Sequence, residues 1–477
     1  MEKSNVQSRE FIKKRWILII TMALAASIGL LIYAFPTPLW PAVALLLPIG
    51  LWLAKRPDTL FIFWLVASPL FNLFSGLGIP NLTLDLILLI SLTGRMLFEN
   101  FPRIRTSVDK RIPPNMFLFA LLALYLIAES IGYVRGVWPI ILSIKFFLDR
   151  ALLLILAFWL TRRFIAFRGI AYAYSISYGL ICVGVYSIVI EVLRRYLGIE
   201  NLLYPKGRDY IWNDVPGSRA VGELYNPMIF GGIIVLVFLL AIFYPHRSSL
   251  LYRIRWIIGI ACIWAIVMTY TRAVWLSFIT NLLLMVFLYR RRLLRIMLIT
   301  IGVIVLIISF ASLVPNFWNQ INERFSEHTA IVARKDLAIM NISMFLEKPL
   351  LGWGAGASDD KSYRIDMSNN SLHRGNPSHN SFLMMLADRG LATFIPYIAA
   401  ILYLLYRNLR FYRNANENVR NIIIMVWVES IIYFIMANTI QVDFFTYFMA
   451  LFWVLLGVAD GLTILPAQTR SNLGLVS

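Results

Sequence analysis

The sequence predicts an all-α, polytopic integral membrane protein with about 12–14 transmembrane helices and a large extracytoplasmic loop that contains an amphipathic helix. Three observations predict this class. Hydrophobic residues make up 60% of the chain and charged residues only 14%, too few charges for an ordinary soluble domain. Apolar runs long enough to cross a bilayer as helices recur along the chain. Basic residues gather in every second polar segment.

The apolar runs define the expected spans, and the whole chain, 1–477, is expected to form a single transmembrane domain. Cys182 and Cys262 both fall inside spans, so neither a disulfide framework nor a thiolate metal site is expected. The expected spans are 16–34, 39–54, 59–75, 82–98, 115–134, 137–160, 169–193, 227–244, 254–270, 273–289, 295–313, 381–406, 421–438 and 444–462.

The basic residues orient the chain with its N-terminus on the cytoplasmic side. With that orientation, every cytoplasmic segment is basic, as the positive-inside rule requires. The net charge of +19 therefore mostly reflects topology, and nucleic-acid binding is not expected. The basic cytoplasmic segments lie near residues 13–15, 55–56, 103–111, 162–168, 247–255, 290–295 and 407–420.

Two loops on the opposite side break this rule. The smaller extracytoplasmic loop, 194–226, contains Arg219, and the large extracytoplasmic loop, 314–380, contains Arg334; Arg272 lies at a third outer junction. Basic groups placed against the orientation bias indicate an anionic ligand, and the planar guanidinium group matches phosphate well. Pairing with lipid headgroups is the alternative interpretation.

The large loop has an internal order. Residues 331–346 have helical periodicity with one apolar face, and the glycine-rich turn 351–356 follows, where the backbone can approach a partner closely. The turn lacks the flanking elements of a nucleotide-binding loop. His379 then stands at the start of a hydrophobic helix, where an imidazole can accept a proton from a sugar hydroxyl or can simply lie at a helix cap.

Several motifs together resemble those of the O-antigen ligase and polymerase family of bacterial envelope polysaccharide assembly. The sequence departs from the family pattern in two ways. It has about fourteen expected spans, whereas twelve is the family norm, and its junction is Thr-Arg, whereas Ser-Arg is commoner in the family. The matching motifs are His379-Asn380, nine residues and Gly390-Leu391-Ala392-Thr393; Thr271-Arg272-Ala273; Arg334 followed by Pro349-Leu350-Leu351-Gly352-Trp353-Gly354; and Arg219-Ala220-Val221-Gly222 leading to Asn226-Pro227.

The resemblance implies a metal-independent, inverting glycosyltransferase without a cofactor in the bacterial inner membrane, with its active site on the periplasmic side. Its partners would be membrane lipids, an undecaprenyl-pyrophosphate-linked glycan donor, and a glycan or lipid A core acceptor of lipopolysaccharide. His379 would be the general base of the reaction. Arg219, Arg272 and Arg334 would bind the pyrophosphate.

Asn380, Asp443 and Lys145 are expected to support the site, Lys145 from one helix face together with Asp149. Asp388 is expected to pair with Arg389 or with a neighbouring helix. No metal site is expected, because the acidic residues near the end of the large loop lack the spacing of ligands.

Two other functions remain open at this stage. A polysaccharide repeat-unit polymerase of the same family shares much of the histidine motif. A flippase for lipid-linked oligosaccharides would suit about fourteen spans, but it predicts repeated halves with charges spread through both. In this chain the polar residues concentrate in one loop, which favours the ligase-like enzyme.

Overall fold

The computed structural model describes residues 56–71, 84–100, 115–197, 219–224, 226–244, 249–288, 328–359, 379–442 and 445–465, together with the isolated residues 302, 318 and 322. The long regular elements in these ranges are all helices. They are α1 Pro57–Phe71, α2 Leu84–Asn100, α3 Met116–Val134, α4 Ile140–Phe147, α5 Leu153–Arg168, α6 Ile170–Leu197, α7 Pro227–Phe243, α8 Ser249–Met268, α9 Arg272–Leu288, α10 His328–Glu347, α11 Ser381–Arg413, α12 Glu417–Ala437 and α13 Thr446–Thr463.

Six of these helices, α3, α6, α8, α11, α12 and α13, are long and apolar enough to cross a membrane. The helices α7 and α9 are shorter but equally apolar. The predicted polytopic helical class is thereby confirmed, and α10 covers the helix predicted at 331–346. Its exposed side also carries apolar residues, among them Ile339, Ile342 and Leu346. The expected spans 16–34, 39–54 and 295–313 lie outside the described residues, and the limits of the loops 194–226 and 314–380 stay predictions.

The expected span 137–160 is divided in the structure. A π-helical turn, Leu148–Leu152, separates α4 from α5. This wider turn changes the register of the helix, so residues four apart no longer share one face as they would in an α-helix. Among the described residues, Lys145 accordingly forms no ion pair with Asp149, although both belong to this segment.

The centre of the bundle is formed by α7, α12 and α13, most of whose side chains are buried. Helix α13 packs closely along α5 because two of its contact residues are glycines. A Cβ on Gly457 would approach the Phe158 carbonyl oxygen to 2.6 Å, and one on Gly461 would approach the Ile165 side chain to 2.7 Å. Small residues at such crossings let helix backbones approach each other within a membrane.

One buried carboxylate joins three helices at one end of this bundle. Asp460 of α13 pairs with Arg162 of α5, with 2.7 Å between the Arg162 Nε and Asp460 Oδ2 atoms, and with Arg407 of α11. We call this end the opposite end. The other end, where α3 ends and α9 and α11 begin, is called the site end.

Helix α11 is kinked at Gly390, where the backbone has φ 66° and ψ −169°. The kink admits the segment that follows α10: the N–H groups of Leu391 and Ala392 donate to the carbonyl oxygens of Pro349 and Leu350 at 2.9 and 3.0 Å. A Cβ at Gly390 would lie 2.4 Å from the Leu350 oxygen. Glycine is therefore required there both by conformation and by space.

We expect Gly390→Ala to destabilise the protein by about 1–3 kcal/mol, because the side chain would strain the kink and push away the segment after α10. The midpoint of thermal unfolding in detergent measures this loss. Gly94→Ala in α2 is the matched control, since a Cβ there would meet nothing within 4 Å. A Gly390→Ala midpoint equal to that of Gly94→Ala would contradict the expectation.

Candidate active site

His379 lies directly before α11, in a helix entry that Asn380 caps. The Asn380 Oδ1 atom accepts the N–H groups of Phe382 and Leu383, both at 3.0 Å. Its Nδ2 atom donates to Asn438 Oδ1 at 3.1 Å, which ties the entry to the end of α12. Asparagine is a strong helix-capping residue, so the motif residue next to the histidine fixes the backbone that carries the imidazole.

The next residue ties the same entry to the turn after α12. The Ser381 hydroxyl donates to the Ile440 carbonyl at 2.9 Å and accepts the Val442 N–H at 2.8 Å. Gln441 in this turn donates to Asp359 Oδ1 at 2.9 Å. The imidazole is therefore carried by a backbone that is held by hydrogen bonds from separate parts of the chain.

Arg334 of α10 is an electrostatic neighbour of His379. Helix α10 packs on the first turns of α11 through Leu337, Met340 and Met344, which form a small core with Ala387. Burial, and then the Arg334 charge, lower the pKa of His379 from 6.5 to about 4. The imidazole is therefore neutral at neutral pH, the state in which it can accept a proton.

The glycine loop, residues 352–358, is held against α11 by one carboxylate. Asp388 Oδ2 accepts the Gly356 N–H at 2.9 Å, and Oδ1 accepts the Ser358 N–H at 2.7 Å. The Gly354 N–H also donates to the Asp388 carbonyl at 2.7 Å. The sequence analysis expected Asp388 to pair with Arg389 or with a neighbouring helix. In the structure, its main partners are the N–H groups of the glycine loop, so it joins that loop to α11.

The other side of the glycine loop lies on the end of α3. Arg135 donates to the Leu351 and Gly352 carbonyls at 3.1 and 3.2 Å. The Ala355 N–H donates to the Gly132 carbonyl at 2.9 Å. A Cβ on Gly354 would lie 2.3 Å from the Arg135 carbonyl oxygen, so the close approach that the glycines predicted does occur, with α3 and α11 as the partners.

Arg389, the residue before the kink, is buried and pairs with Glu129 of α3. Its Nη1 atom lies 2.7 Å from Glu129 Oε1 and 3.0 Å from Oε2. A charge this deep requires a partner, because an unpaired ion in a dry interior is very costly. The pair fixes α3 to α11 just beneath the glycine loop.

A second group of basic residues lies at the same end of the bundle. We call Arg194, Arg195, Arg219 and Arg272 the arginine cluster. The Arg194 Nη2 atom donates to the Arg219 carbonyl at 2.7 Å. The Ala220 N–H donates to the Met268 carbonyl at 2.8 Å, and Met268 ends the helix that precedes the Arg272 junction. The chain around Arg219 therefore lies against both α6 and the α8–α9 junction.

Arg272 begins α9 and is half-buried. Among the described residues, none forms a hydrogen bond or an ion pair with its guanidinium group. Tyr270, two residues earlier, has a positive φ of 47°, which is rare for a residue other than glycine. Such strained backbone often marks functional sites, because the surrounding structure must hold it in place.

The Arg334–His379 pair and the arginine cluster lie at the same end of the bundle. The start of α7 contacts both sides: Gly231 faces Val274 of α9, and Gly232 faces Ile432 and Met436 of α12. The end of α12 in turn bonds to the Asn380 cap. The structure thus places the predicted catalytic and pyrophosphate-binding residues at one end of the bundle. His379 and Arg334 are electrostatic neighbours, and Arg219 and Arg272 lie on adjacent elements.

The other predicted supporting residues are less well connected. Lys145 is half-buried in α4, and Asp443 lies outside the described residues. Arg150, in the π-helical turn, stacks on the Phe146 ring with 4.1 Å between its Cζ atom and the ring centroid.

Residues that the sequence analysis did not assign to the site prove to organise it. Arg135, Asp388 and Gln441 hold the glycine loop and the helix entry, and Arg194 and Arg195 belong to the arginine cluster. The spacing of Glu191 to Arg194 and Arg195, three and four residues, is the helical pairing pattern and could have identified the last two. The partners of Asp388 are backbone groups about thirty residues away, which no local pattern reveals.

We expect Asp388→Asn to loosen the glycine loop, because one carboxylate oxygen that accepts an N–H becomes an NH2 donor. The loss of a charged hydrogen bond to a buried group should cost about 1.5–3 kcal/mol. Hydrogen exchange measured at the Gly356 and Ser358 amides should become faster. Asp336→Asn, on α10, is the control. Unchanged amide exchange in Asp388→Asn would show that the Asp388 hydrogen bonds do not hold the glycine loop in place.

Residues 257–398 match the family model described as Wzy_C, O-Antigen ligase. The match covers α9, α10, the glycine loop and the start of α11, and therefore Arg272, Arg334 and His379. It confirms the family resemblance drawn from the motifs. No curated protein matches the chain significantly.

Proposed function

We propose that this membrane protein, whose residues 257–398 match the O-antigen ligase family model, transfers a glycan from undecaprenyl pyrophosphate to a hydroxyl group of a sugar acceptor. The observation that carries the proposal is the position of His379. This imidazole is held neutral at a capped helix start beside Arg334, at the end of the bundle that also bears the arginine cluster.

The reaction is a single displacement. The acceptor oxygen attacks the anomeric carbon of the donor glycan, and the bond from that carbon to the pyrophosphate oxygen breaks. The electron pair leaves with undecaprenyl pyrophosphate, and His379 takes the proton of the attacking hydroxyl. Attack opposite the leaving group inverts the anomeric configuration.

The arginines stabilise the charge that develops on the pyrophosphate as it leaves. Arg219, Arg272 and Arg334 supply fixed cations in a partly water-free site, where such charges act strongly. Many other transferases use a divalent cation for this step. Pyrophosphate bound beside Arg334 also offsets the positive charge that lowers the pKa of His379, so donor binding strengthens the base.

The charge distribution supports an extracytoplasmic position for the site. The opposite end of the bundle carries Arg162, Arg163, Arg168, Arg407, Arg410 and Arg413, as expected for the cytoplasmic side. The site end then faces the periplasm of a bacterial inner membrane. Nucleotide sugars are absent from that compartment, which is consistent with a donor that arrives on a lipid.

The catalytic role of His379 is tested with purified protein, a radiolabelled lipid-linked glycan and a chelator. We expect His379→Ala to lower turnover by about 10²–10⁴-fold, because the general base is lost. His373→Ala removes a different imidazole of the same loop and should leave turnover unchanged. Equal loss in both variants, or full activity in His379→Ala, would overturn the assignment.

The same assay separates the candidate activities. Product on lipid A core indicates a ligase, and elongated carrier-linked glycan indicates a polymerase. Movement of the carrier across vesicles without any new glycosidic bond would instead indicate a flippase and would contradict an enzyme.

The pH profile tests the pairing of Arg334 with His379. In the native protein, kcat/KM should stay level from pH 8 to about 5 and fall as His379 is protonated near pH 4. Arg334→Gln removes the second cause of the low pKa, so the acid limb should move to higher pH.

Lys335→Gln removes an exposed charge from the same helix and is the control for the Arg334 variant. Its acid limb should not move. An acid limb that stays in place in Arg334→Gln would show that the two side chains do not interact in the working enzyme.

A further inference from the structure

Glu191, near the site end of α6, is a fully buried carboxylate that binds two members of the arginine cluster, Arg194 and Arg195. Arg194 binds it with two bonds, Nη2 to Oε1 at 2.7 Å and Nε to Oε2 at 3.1 Å. Its Oε2 atom also accepts the N–H groups of Val221 and Gly222, both at 3.1 Å. Glu191 therefore fixes the segment that follows Arg219 to the end of α6.

Arg195 is bound to the same carboxylate in a different way. Only its Nε atom approaches Glu191, at 3.4 Å from Oε1, and its side chain is 14% exposed. Its Nη2 atom is buried and has no hydrogen-bond partner in the structure. A buried, charged donor without an acceptor costs free energy, so this guanidinium group is poised to bind an acceptor that arrives from outside the fold.

Two neighbours indicate where Arg195 lies in the fold. The Arg195 charge acts on Tyr270, the strained residue two positions before Arg272. Tyr196, next along α6, contacts the Trp264 ring of α8 at 6.2 Å between centroids. Arg195 therefore lies near Tyr270, in the α8–α9 junction that leads to Arg272.

The local charge balance also favours an anion. Glu191 is shared by two arginines, Arg194 and Arg195, and Arg194 already binds both of its oxygens. Positive charge gathered in a partly buried place is unfavourable unless an anion offsets it. A diphosphate at the membrane surface has the charge and the oxygen acceptors to do so.

Building on the proposed function, we propose that Arg195 is a further diphosphate-binding residue of the donor site and that Glu191 is its positioning residue. The guanidinium group divides its donors: Nε holds Glu191, and Nη2 donates to a phosphate oxygen of the lipid carrier. Lysine has one nitrogen and cannot reproduce both bonds with the same geometry.

The test compares Arg195→Gln, Arg195→Lys and Arg413→Gln in full-length protein in nanodiscs of neutral lipid. Arg413 is an exposed arginine at the opposite end, so its variant removes the same charge away from the site. We expect Arg195→Gln to raise the donor KM about tenfold and to change kcat less. A tenfold loss of affinity is within the free energy of one charged hydrogen bond. Arg195→Lys should be intermediate, and Arg413→Gln should match the native protein.

Ligand-induced thermal stabilisation separates binding from a structural role. Undecaprenyl pyrophosphate should raise the unfolding midpoint of the native protein, because a ligand that binds only the folded state stabilises it. Arg195→Gln should lose most of this increase. An equal increase in both proteins, with only the ligand-free midpoint lowered, would make Arg195 structural and overturn the inference.

Two further arms identify the anion and separate this inference from the proposed function. An equal stabilisation by anionic phospholipid alone would make the ligand an ordinary headgroup and overturn the inference. If Arg272→Ala weakens donor binding while Arg195→Gln does not, the inference is wrong and the proposed function stands. If neither variant changes donor binding, the proposed function itself fails.

Discussion

The site depends on one close backbone contact, between the kink of α11 at Gly390 and the segment that follows α10. Only a glycine at 390 leaves room for the Leu350 carbonyl, and the neighbouring N–H groups then pair with that segment. Asp388 extends the contact along the glycine loop. Helix α10 carries Arg334, and α11 begins directly after His379, so this contact sets the distance between the Arg334 and His379 side chains. It gives a physical reason for Gly390 in the histidine motif, although Gly390 lies eleven residues after His379.

The buried charges follow one rule throughout the bundle. Asp460 pairs with Arg162 and Arg407 at the opposite end, and Glu129 pairs with Arg389 beneath the glycine loop. Each of these carboxylates joins helices that are distant in the sequence. In a medium where an unpaired ion is very costly, such pairs make the arrangement of helices specific.

The helices themselves were largely predictable. Apolar length located most of the described helices to within five residues, since a segment that cannot hydrate its backbone in lipid must form a helix. Helices α5 and α11 extend eight and seven residues beyond the expected spans 137–160 and 381–406. The motifs also located His379, Arg272, Arg334 and Arg219. The division of the span at 137–160 was not predictable, because a π-helical turn has no distinct composition and depends on what packs around Phe146 and Arg150.

Composition and motif spacing alone thus determined a membrane-embedded helical chain, its resemblance to the O-antigen ligase family and the candidate residues of its site. The tertiary structure decided which other groups hold these candidate residues in position. Asp388 binds backbone N–H groups, and Asn380 and Gln441 join separate turns. Glu191 binds Arg194, Arg195 and the segment that follows Arg219. Periodicity is local and reports which face of a helix is apolar, whereas these hydrogen bonds join residues up to about eighty positions apart, whose meeting depends on how the whole bundle packs.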